Sequence, residues 1–295
     1  MKEVEELVFS GGHLDAAFQY LGAFKELEQN GIRFENVKRY LGSSSGGIFA
    51  FFLAMGLNIE SIFKLMMIIP FSKFDKKIGK NLLYIFDDLG IYDTKVFEKI
   101  YGHLIEYAGY DKDITFSEFN KATGKDLSLI SYCINSKDIK LLNHVFTPNL
   151  TIAQGLCMTT AIPLIFKPVS YENRLYTDCC LVCNFPLEFI IHTDTFLGFT
   201  ISSNKSYEED IGFMRYLQIL YSSVEYEIDA LKTNSDISNR ICTFISDRTP
   251  RTNFSITVEQ IDKNMGVGRS QVMRFIEDLQ KKNNGFLNSL KNIIR

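Results

Sequence analysis

Apolar residues fall into two early strand-and-helix units. VEELVF (4–9) reads as a short strand that stops at Ser10-Gly11-Gly12. AAFQYLGAFKELEQNG (16–31) then places its apolar residues at helical spacing and stops at Asn30-Gly31, a helix C-terminal signal. RFENVKRYLG supplies a second strand ending at Gly42, and IFAFFLAMG follows as a helix that is apolar nearly all round and therefore buried. Strand, helix, strand, helix at this spacing argues for a parallel sheet covered on both faces.

Beyond about 58 the pattern turns helix-rich as far as 128. LSLISYCIN (127–135) and IKLLNHVF (139–146) read as paired strands joined by SKD. LTIAQGLCMTTAIPLIF (150–166) reads as a helix ending before Pro163, and RLYTDCCLVCNFP (174–186) as a strand that runs into a loop. HTDTFLGFTIS (192–202) and RICTFIS (240–246) are further strands, with the amphipathic helix FMRYLQILYSSVEYEIDALKT between them and helices after them. With no internal repeat and no low-complexity linker, one domain over 1–295 is the expectation.

Composition narrows the function classes. Hydrophobic residues make up 46% and charged residues 23%, as in an ordinary soluble globular protein. A net charge of −3 argues against a nucleic-acid partner, because phosphate-binding domains are usually basic. The 25 Phe and 14 Tyr, without Trp, suit a large core or an acyl-chain pocket, and composition does not choose. MKEVEELVFSGG lacks the apolar stretch of a secretory signal. The longest apolar run, IFAFFLAMGL (48–57), is about half the length a bilayer requires. The expectation is an intracellular protein, soluble or peripherally membrane-associated. Six cysteines then read as reduced thiols; Cys179-Cys180-x-x-Cys183 lacks a second ligand pair, so no metal is expected.

Chemistry enters at Gly42-Ser43-Ser44-Ser45-Gly46, which fits G-x-S-x-G with Ser44 central. In that pattern a strand turns sharply into a helix, flanking glycines permit close chain approach, and the central Ser projects its hydroxyl above the sheet edge. The helix N-terminus behind it favours developing negative charge. A serine also needs a base. Of His13, His103, His144 and His192, only His192 lies late in the chain, and it begins a strand candidate rather than a loop. That weighs against a Ser44–Asp178–His192 triad. His13 lies beside the Gly11-Gly12 turn.

Four blocks in order resemble the patatin-like phospholipase family over most of residues 5–190: LVFSGG with LGAFKELEQNGI, YLGSSSGGIFAFFLAMG, LTIAQGLCMTTAIPLIFKPV, and YTDCCLVCNFP. The resemblance implies a three-layer α/β/α fold with a mostly parallel central sheet and extra peripheral helices. It places a catalytic core at about 5–200 and a helical part at about 205–295. It further implies a Ser–Asp dyad without histidine, in which Ser44 attacks an ester carbonyl to form an acyl-enzyme and Asp178 is the base. The backbone N–H groups of Gly11 and Gly12, joined by that of Ser45, would hold the oxyanion, and Gly42 and Gly46 would shape the elbow. Phospholipid or lysophospholipid is the implied substrate, with no cofactor.

Two departures from the family pattern touch the site. The turn reads Gly11-Gly12-His13-Leu14-Asp15-Ala16, with no third glycine and no basic residue, and Gly22 lies one position further on than usual. His13 therefore either fills the third glycine position or projects into the cleft. Asp178 is followed by Cys179-Cys180 where glycine or alanine is usual, a strained arrangement if a positive φ is needed there. These changes keep open a rival reading, a catalytically impaired lipid- or partner-binding protein on the same fold.

Three further segments carry weaker signals. ITVEQIDKNMGVGRSQVMRFIEDLQ (256–280) has a helix–turn–helix look around Met265-Gly266-Val267, but Glu277 and Asp278 oppose a DNA contact, so a packing helix pair is expected. IFKLMMIIPFSKFDKKIGK (62–80) reads as a core helix with a solvated loop, or as an interfacial element presenting Lys73, Lys76, Lys77 and Lys80 to anionic lipid. The sequon at Asn149 carries no meaning without secretion.

Overall fold

The computed structural model describes residues 4–69, 87–203, 216, 219, 237–246 and 256–281. The amphipathic helix expected at 213–233, residues 216 and 219 apart, and the lysines at 73, 76, 77 and 80 lie outside them.

Strand β1 (Glu6–Phe9) is wholly buried and turns directly into helix α1 (His13–Gln29). The helix starts three residues earlier than its apolar spacing indicates and ends as expected, with Gly31 at φ 73. Strand β2 (Arg39–Gly42) pairs parallel with β1 and leads into α2 (Ser44–Ala54). Helices α3 (Ile59–Ile68), α4 (Lys95–Tyr107) and α5 (Phe116–Thr123) form the helix-rich stretch, interrupted by β3 (Gly90–Tyr92). A capping box between Thr115 and Glu118 opens α5, and Gly124 at φ 69 closes it.

The expected hairpin is β4 (Asp126–Cys133) with β5 (Asp138–Leu142). It stops short of 146 because Asn143 turns the chain, its Oδ1 accepting the N–H groups of Val145 and Phe146. Helix α6 (Ile152–Thr160) is capped by Thr151, and the residues after Pro163 form strand β6 (Leu164–Phe166), paired with β3, rather than a continuation of the helix. Strands β7 (Val169–Tyr171), β8 (Arg174–Thr177), β9 (Phe196–Ser203) and β10 (Ile241–Ser246) complete the sheets. The main sheet runs β10-β9-β1-β2-β4-β8-β7, parallel from β10 to β4 and antiparallel beyond, with β5 on β4. This is an α/β fold with a mostly parallel central sheet.

Alternation along the strands sends Leu7, Phe9, Tyr40, Leu129 and Phe199 into a large core beneath the helices. Val8, Leu41 and Ile130 point the other way, onto Cys179, Cys183 and Phe185. The phenylalanines are mostly core. Phe9 stacks on Phe199 at 5.3 Å and meets Phe49 edge-on at 5.2 Å, directly below the Ser10–Gly12 turn. Burying each such ring contributes about 1.5–3 kcal/mol.

The C-terminal segment is one continuous helix, α7 (Val258–Lys281), not a pair broken at Met265–Val267. Two glycines explain the correction. A Cβ at Gly268 would lie 2.0 Å from the Gln19 carbonyl oxygen, and one at Gly22 would lie 2.1 Å from that of Met265. Gly268 is a point of close helix contact rather than a turn. Among the described residues, no helix is long and apolar enough to cross a membrane.

Candidate active site

Ser44 sits at the tip of the β2–α2 turn with φ 51, in the left-handed region. An L-residue there costs about 1–2 kcal/mol, so its surroundings must hold it. The Ser43 N–H donates to the Phe9 carbonyl at 3.1 Å, and the Ser44 N–H donates to Thr159 Oγ1 at 2.9 Å. Neither flanking glycine has room for a side chain. A Cβ at Gly42 would lie 2.6 Å from the Gly46 backbone, and one at Gly46 would lie 2.3 Å from the Ser10 carbonyl oxygen.

That second contact brings the elbow against the β1–α1 turn. A Cβ at Gly11 would meet Ser44 Cβ at 3.1 Å and Asn184 Oδ1 at 2.4 Å. Asn184 clamps the turn from the other side: its carbonyl accepts the Gly11 N–H at 3.1 Å, and its Nδ2 donates to the Gly11 carbonyl at 3.2 Å. The Gly11 N–H, expected to face an oxyanion, thus points at Asn184. The Gly12 N–H has no acceptor among the described residues and stands at the head of α1. His13 follows with φ 65: it fills the third glycine position in left-handed backbone, a conformation His tolerates better than most residues.

Asp178 comes to the same sheet edge by topology. Gly42 lies opposite Leu129 of β4, β4 runs on to Cys133, and β8 returns antiparallel with Thr177 opposite Tyr132. Leu129 also pairs with Leu142 of β5, and Tyr132 with Ile139, so β2 and β8 lie along the same edge of β4 with their ends facing each other across Ile130 and Ser131, and Ser44 and Asp178 each follow one of those facing ends. The Asp178 N–H donates to the Ala161 carbonyl at 2.9 Å, and its Oδ1 accepts the Cys180 N–H at 2.8 Å. Ser131 Oγ pins the preceding Thr177 carbonyl at 2.8 Å. Cys179 and Cys180 are not at positive φ, so the strain conceivable after Asp178 does not arise. Burial, reinforced by the Asp178 charge, pushes the Cys179 thiol up and keeps it protonated. Among the described residues, no group of three His, Cys, Asp or Glu is placed to hold a metal.

Ser44 opens onto a cavity of about 60 Å³ walled by Leu14, Ile48, Phe97, Ile162 and Phe166, with His13, Tyr101 and Thr160 at its polar points. Of the histidines, only His13 lines it. His192 is exposed and precedes Phe196, which pairs with Glu6 at the start of β1, the edge of the sheet away from Ser44. The Ser44–Asp178–His192 arrangement is therefore not formed. Burial raises the Tyr101 phenol, with Cys157 and Asp178 adding to the effect, so Tyr101 stays neutral beside Thr160 Oγ1 at 3.4 Å.

Known proteins resemble this chain. The family model described as patatin-like phospholipase matches residues 7–191, which take in the Gly11 turn, the elbow, α6 and Asp178. The chain belongs to the patatin-like phospholipase family. A probable lipid hydrolase, 463L of Invertebrate iridescent virus 6, is 30% identical over 198 residues, 64% of this chain and 64% of its own. Protein R571 of Acanthamoeba polyphaga mimivirus is 28% identical over 214 residues, 72% of this chain and 70% of its own. The chain thus spans about two thirds of the length of these relatives. The crystal structure of VipD from Legionella pneumophila superposes with a TM-score of 0.60 at 18% identity, covering 94% of this chain and 67% of that one, a likeness of fold.

Three residues of this patatin-like site carry no signal of their own in the sequence. Thr159 and Asn184 lie inside the quoted blocks, but their roles are backbone contacts with residues 115 and 173 positions away. Tyr101 lies in the helix-rich stretch between blocks, where a buried aromatic at helical spacing is indistinguishable from core.

Proposed function

We propose that the protein is a lipid acyl hydrolase of the phospholipase A or lysophospholipase type, working through Ser44 and Asp178. One observation carries this reading. The end of α6 holds both groups within three residues: Thr159 takes the Ser44 N–H, and Ala161 takes the Asp178 N–H.

In the proposed reaction, Ser44 Oγ attacks the ester carbonyl carbon while the Asp178 carboxylate accepts the hydroxyl proton. The negative charge that develops on the carbonyl oxygen meets the N–H of Gly12 and the N–H of Ser45 at the head of α2. Each such donor typically contributes about 2.7–4 kcal/mol. Collapse breaks the ester C–O bond, and the departing alcohol takes the proton back from Asp178. A water molecule, deprotonated by Asp178, then attacks the acyl-serine carbonyl; the acyl–Oγ bond breaks, Ser44 Oγ takes the proton back from Asp178, and free fatty acid leaves. No step calls for a metal or organic cofactor, so chelators should leave the rate unchanged.

The cavity beside Ser44 favours an acyl ester over a polar one, since beyond Ser44 and Ser45 its walls are apolar apart from His13, Tyr101 and Thr160. At about 60 Å³ it holds only a few heavy atoms, on the basis that one water needs about 10–15 Å³. The first carbons of an acyl chain fit, and the rest of the lipid stays outside, which suits a protein that meets its substrate at a membrane surface.

The test is fatty-acid release from mixed phospholipid vesicles by the parent, Ser44→Ala and Asp178→Asn. Loss of about 10³-fold or more in both variants supports the dyad. Equal release by all three would refute it.

A further inference from the structure

Helix α7 lies outside the matched segment 7–191, yet it reaches the candidate site. It crosses α1 at backbone contact, through Gly268 against Gln19 and Met265 against Gly22. At that crossing a buried polar relay runs from α7 to the first turn of α1. Asn264 Nδ2 donates to Asp15 Oδ1 at 2.7 Å, and Asn264 Oδ1 accepts from Gln19 Nε2 at 3.3 Å. All three residues are buried.

The chemistry gives this relay a direction. A carboxylate taken out of water needs donors, and Asp15 meets one on α7. Gln19 orients the Asn264 amide so that its N–H, not its carbonyl, faces the carboxylate. Asp15 is three residues past Gly12, and its neighbour Ala16 donates its N–H to the Gly12 carbonyl at 3.3 Å. The close approach at the glycines lets a side chain as short as Asn span the gap between helices.

We propose that Asn264 is a positioning residue for the hydrolytic site: through Asp15 it fixes the first turn of α1, and with it the direction of the Gly12 N–H. The inference rests on Gly12 acting in the reaction proposed above. It makes α7 a working part of the site rather than an appended helix.

The test uses the full chain and two readouts, amide hydrogen exchange over residues 12–17 and steady-state hydrolysis of phospholipid vesicles. Asn264→Ala and Asn264→Asp should speed exchange in that turn by about tenfold or more. Both should lower kcat by about tenfold while KM stays within about twofold, because a displaced donor weakens the transition state rather than substrate binding. The swap Asp15→Asn with Asn264→Asp rebuilds an amide–carboxylate pair and should restore both readouts. Val272→Ala, a buried α7 change away from Asp15, should lower the melting temperature and leave kcat as it is. Exchange and kcat at parental values in both single variants would overturn the proposal. So would a swap that restores neither readout, or an equal loss of kcat in Val272→Ala. If the parent shows no Ser44-dependent release, the hydrolase reading fails, and the exchange readout still decides whether Asn264 sets the turn.

Discussion

The hydroxyl of Thr159 accepts the backbone N–H of Ser44 at 2.9 Å. This bond joins helix α6 to a residue in left-handed backbone, at the start of a helix where the first N–H groups have no intrahelical partner. Thr159 is fully buried, so nothing from solvent can replace it. Thr159→Val keeps the shape and removes the acceptor. We expect a stability loss of about 1–3 kcal/mol from the unpaired buried N–H. We also expect kcat to fall by up to about 100-fold as Ser44 relaxes. Thr159→Ser should retain most of both. Denaturant melts and vesicle hydrolysis on the three proteins check this, and an unimpaired Val variant would show that the elbow holds itself.

Asn184 does for the β1–α1 turn what Thr159 does for the elbow. Its amide donates to the Gly11 carbonyl at 3.2 Å, while its own backbone accepts the Gly11 N–H. Asn184→Asp removes the donor and sets a carboxylate oxygen against a carbonyl. The expected outcome is at least about a tenfold drop in kcat with a smaller effect on KM, since the change acts on the turn presenting Gly12. A change confined to KM would place Asn184 in substrate binding instead.

Much of this site was legible in the sequence, and the boundary of what was legible has a physical origin. The elbow announces itself because Gly42 and Gly46 lie where any Cβ would strike backbone, so composition records the geometry directly. The Gly31 stop is equally local. The single long α7 was not legible: Met265-Gly266-Val267 read as a turn, and only the presence of α1 reveals that the neighbouring Gly268 is a helix contact. The family resemblance assigned the Gly11 N–H to an oxyanion, and its partner Asn184, 173 positions along the chain, gave no local signal against that. Long-range hydrogen bonds leave no periodicity behind.

His13 tests how much the departure from a third glycine costs. Its φ of 65 is tolerable for His and hard for a β-branched residue. His13→Gly should therefore change stability by less than about 1 kcal/mol, relief of strain being offset by greater unfolded-state freedom. His13→Val should cost about 1–3 kcal/mol. Because His13 also lines the Ser44 cavity, the Gly variant should admit bulkier acyl groups, read as a changed ratio of kcat/KM between branched and straight chains. Equal stability of Gly and Val variants would mean that the turn adapts to its side chain.

On β2, the strand that leads into the elbow, Tyr40 sets an alkaline limit on the fold. Burial pushes its phenol up to about 12, while in the unfolded chain it ionises near 10. The sign follows from proton binding: above about pH 10 the unfolded state gives up the phenolic proton and the folded state keeps it. Tyr40 thus contributes stability that is fully present below pH 10 and is lost as pH rises through about 12. The two-unit difference corresponds to about 3 kcal/mol. Burial also holds the ammonium of Lys125, whose Nζ lies 5.4 Å from the centre of the Tyr40 ring, below the usual lysine value. Its depressed folded-state value works in the opposite sense: stability rises with pH from that value and is fully present above the unfolded lysine value. Tyr40→Phe removes the first effect and leaves the second. Urea melts at pH 8 and pH 11 should show a smaller loss of stability with pH in the Phe variant than in the parent. Parallel losses in both would mean that the Tyr40 hydroxyl reaches solvent and titrates normally.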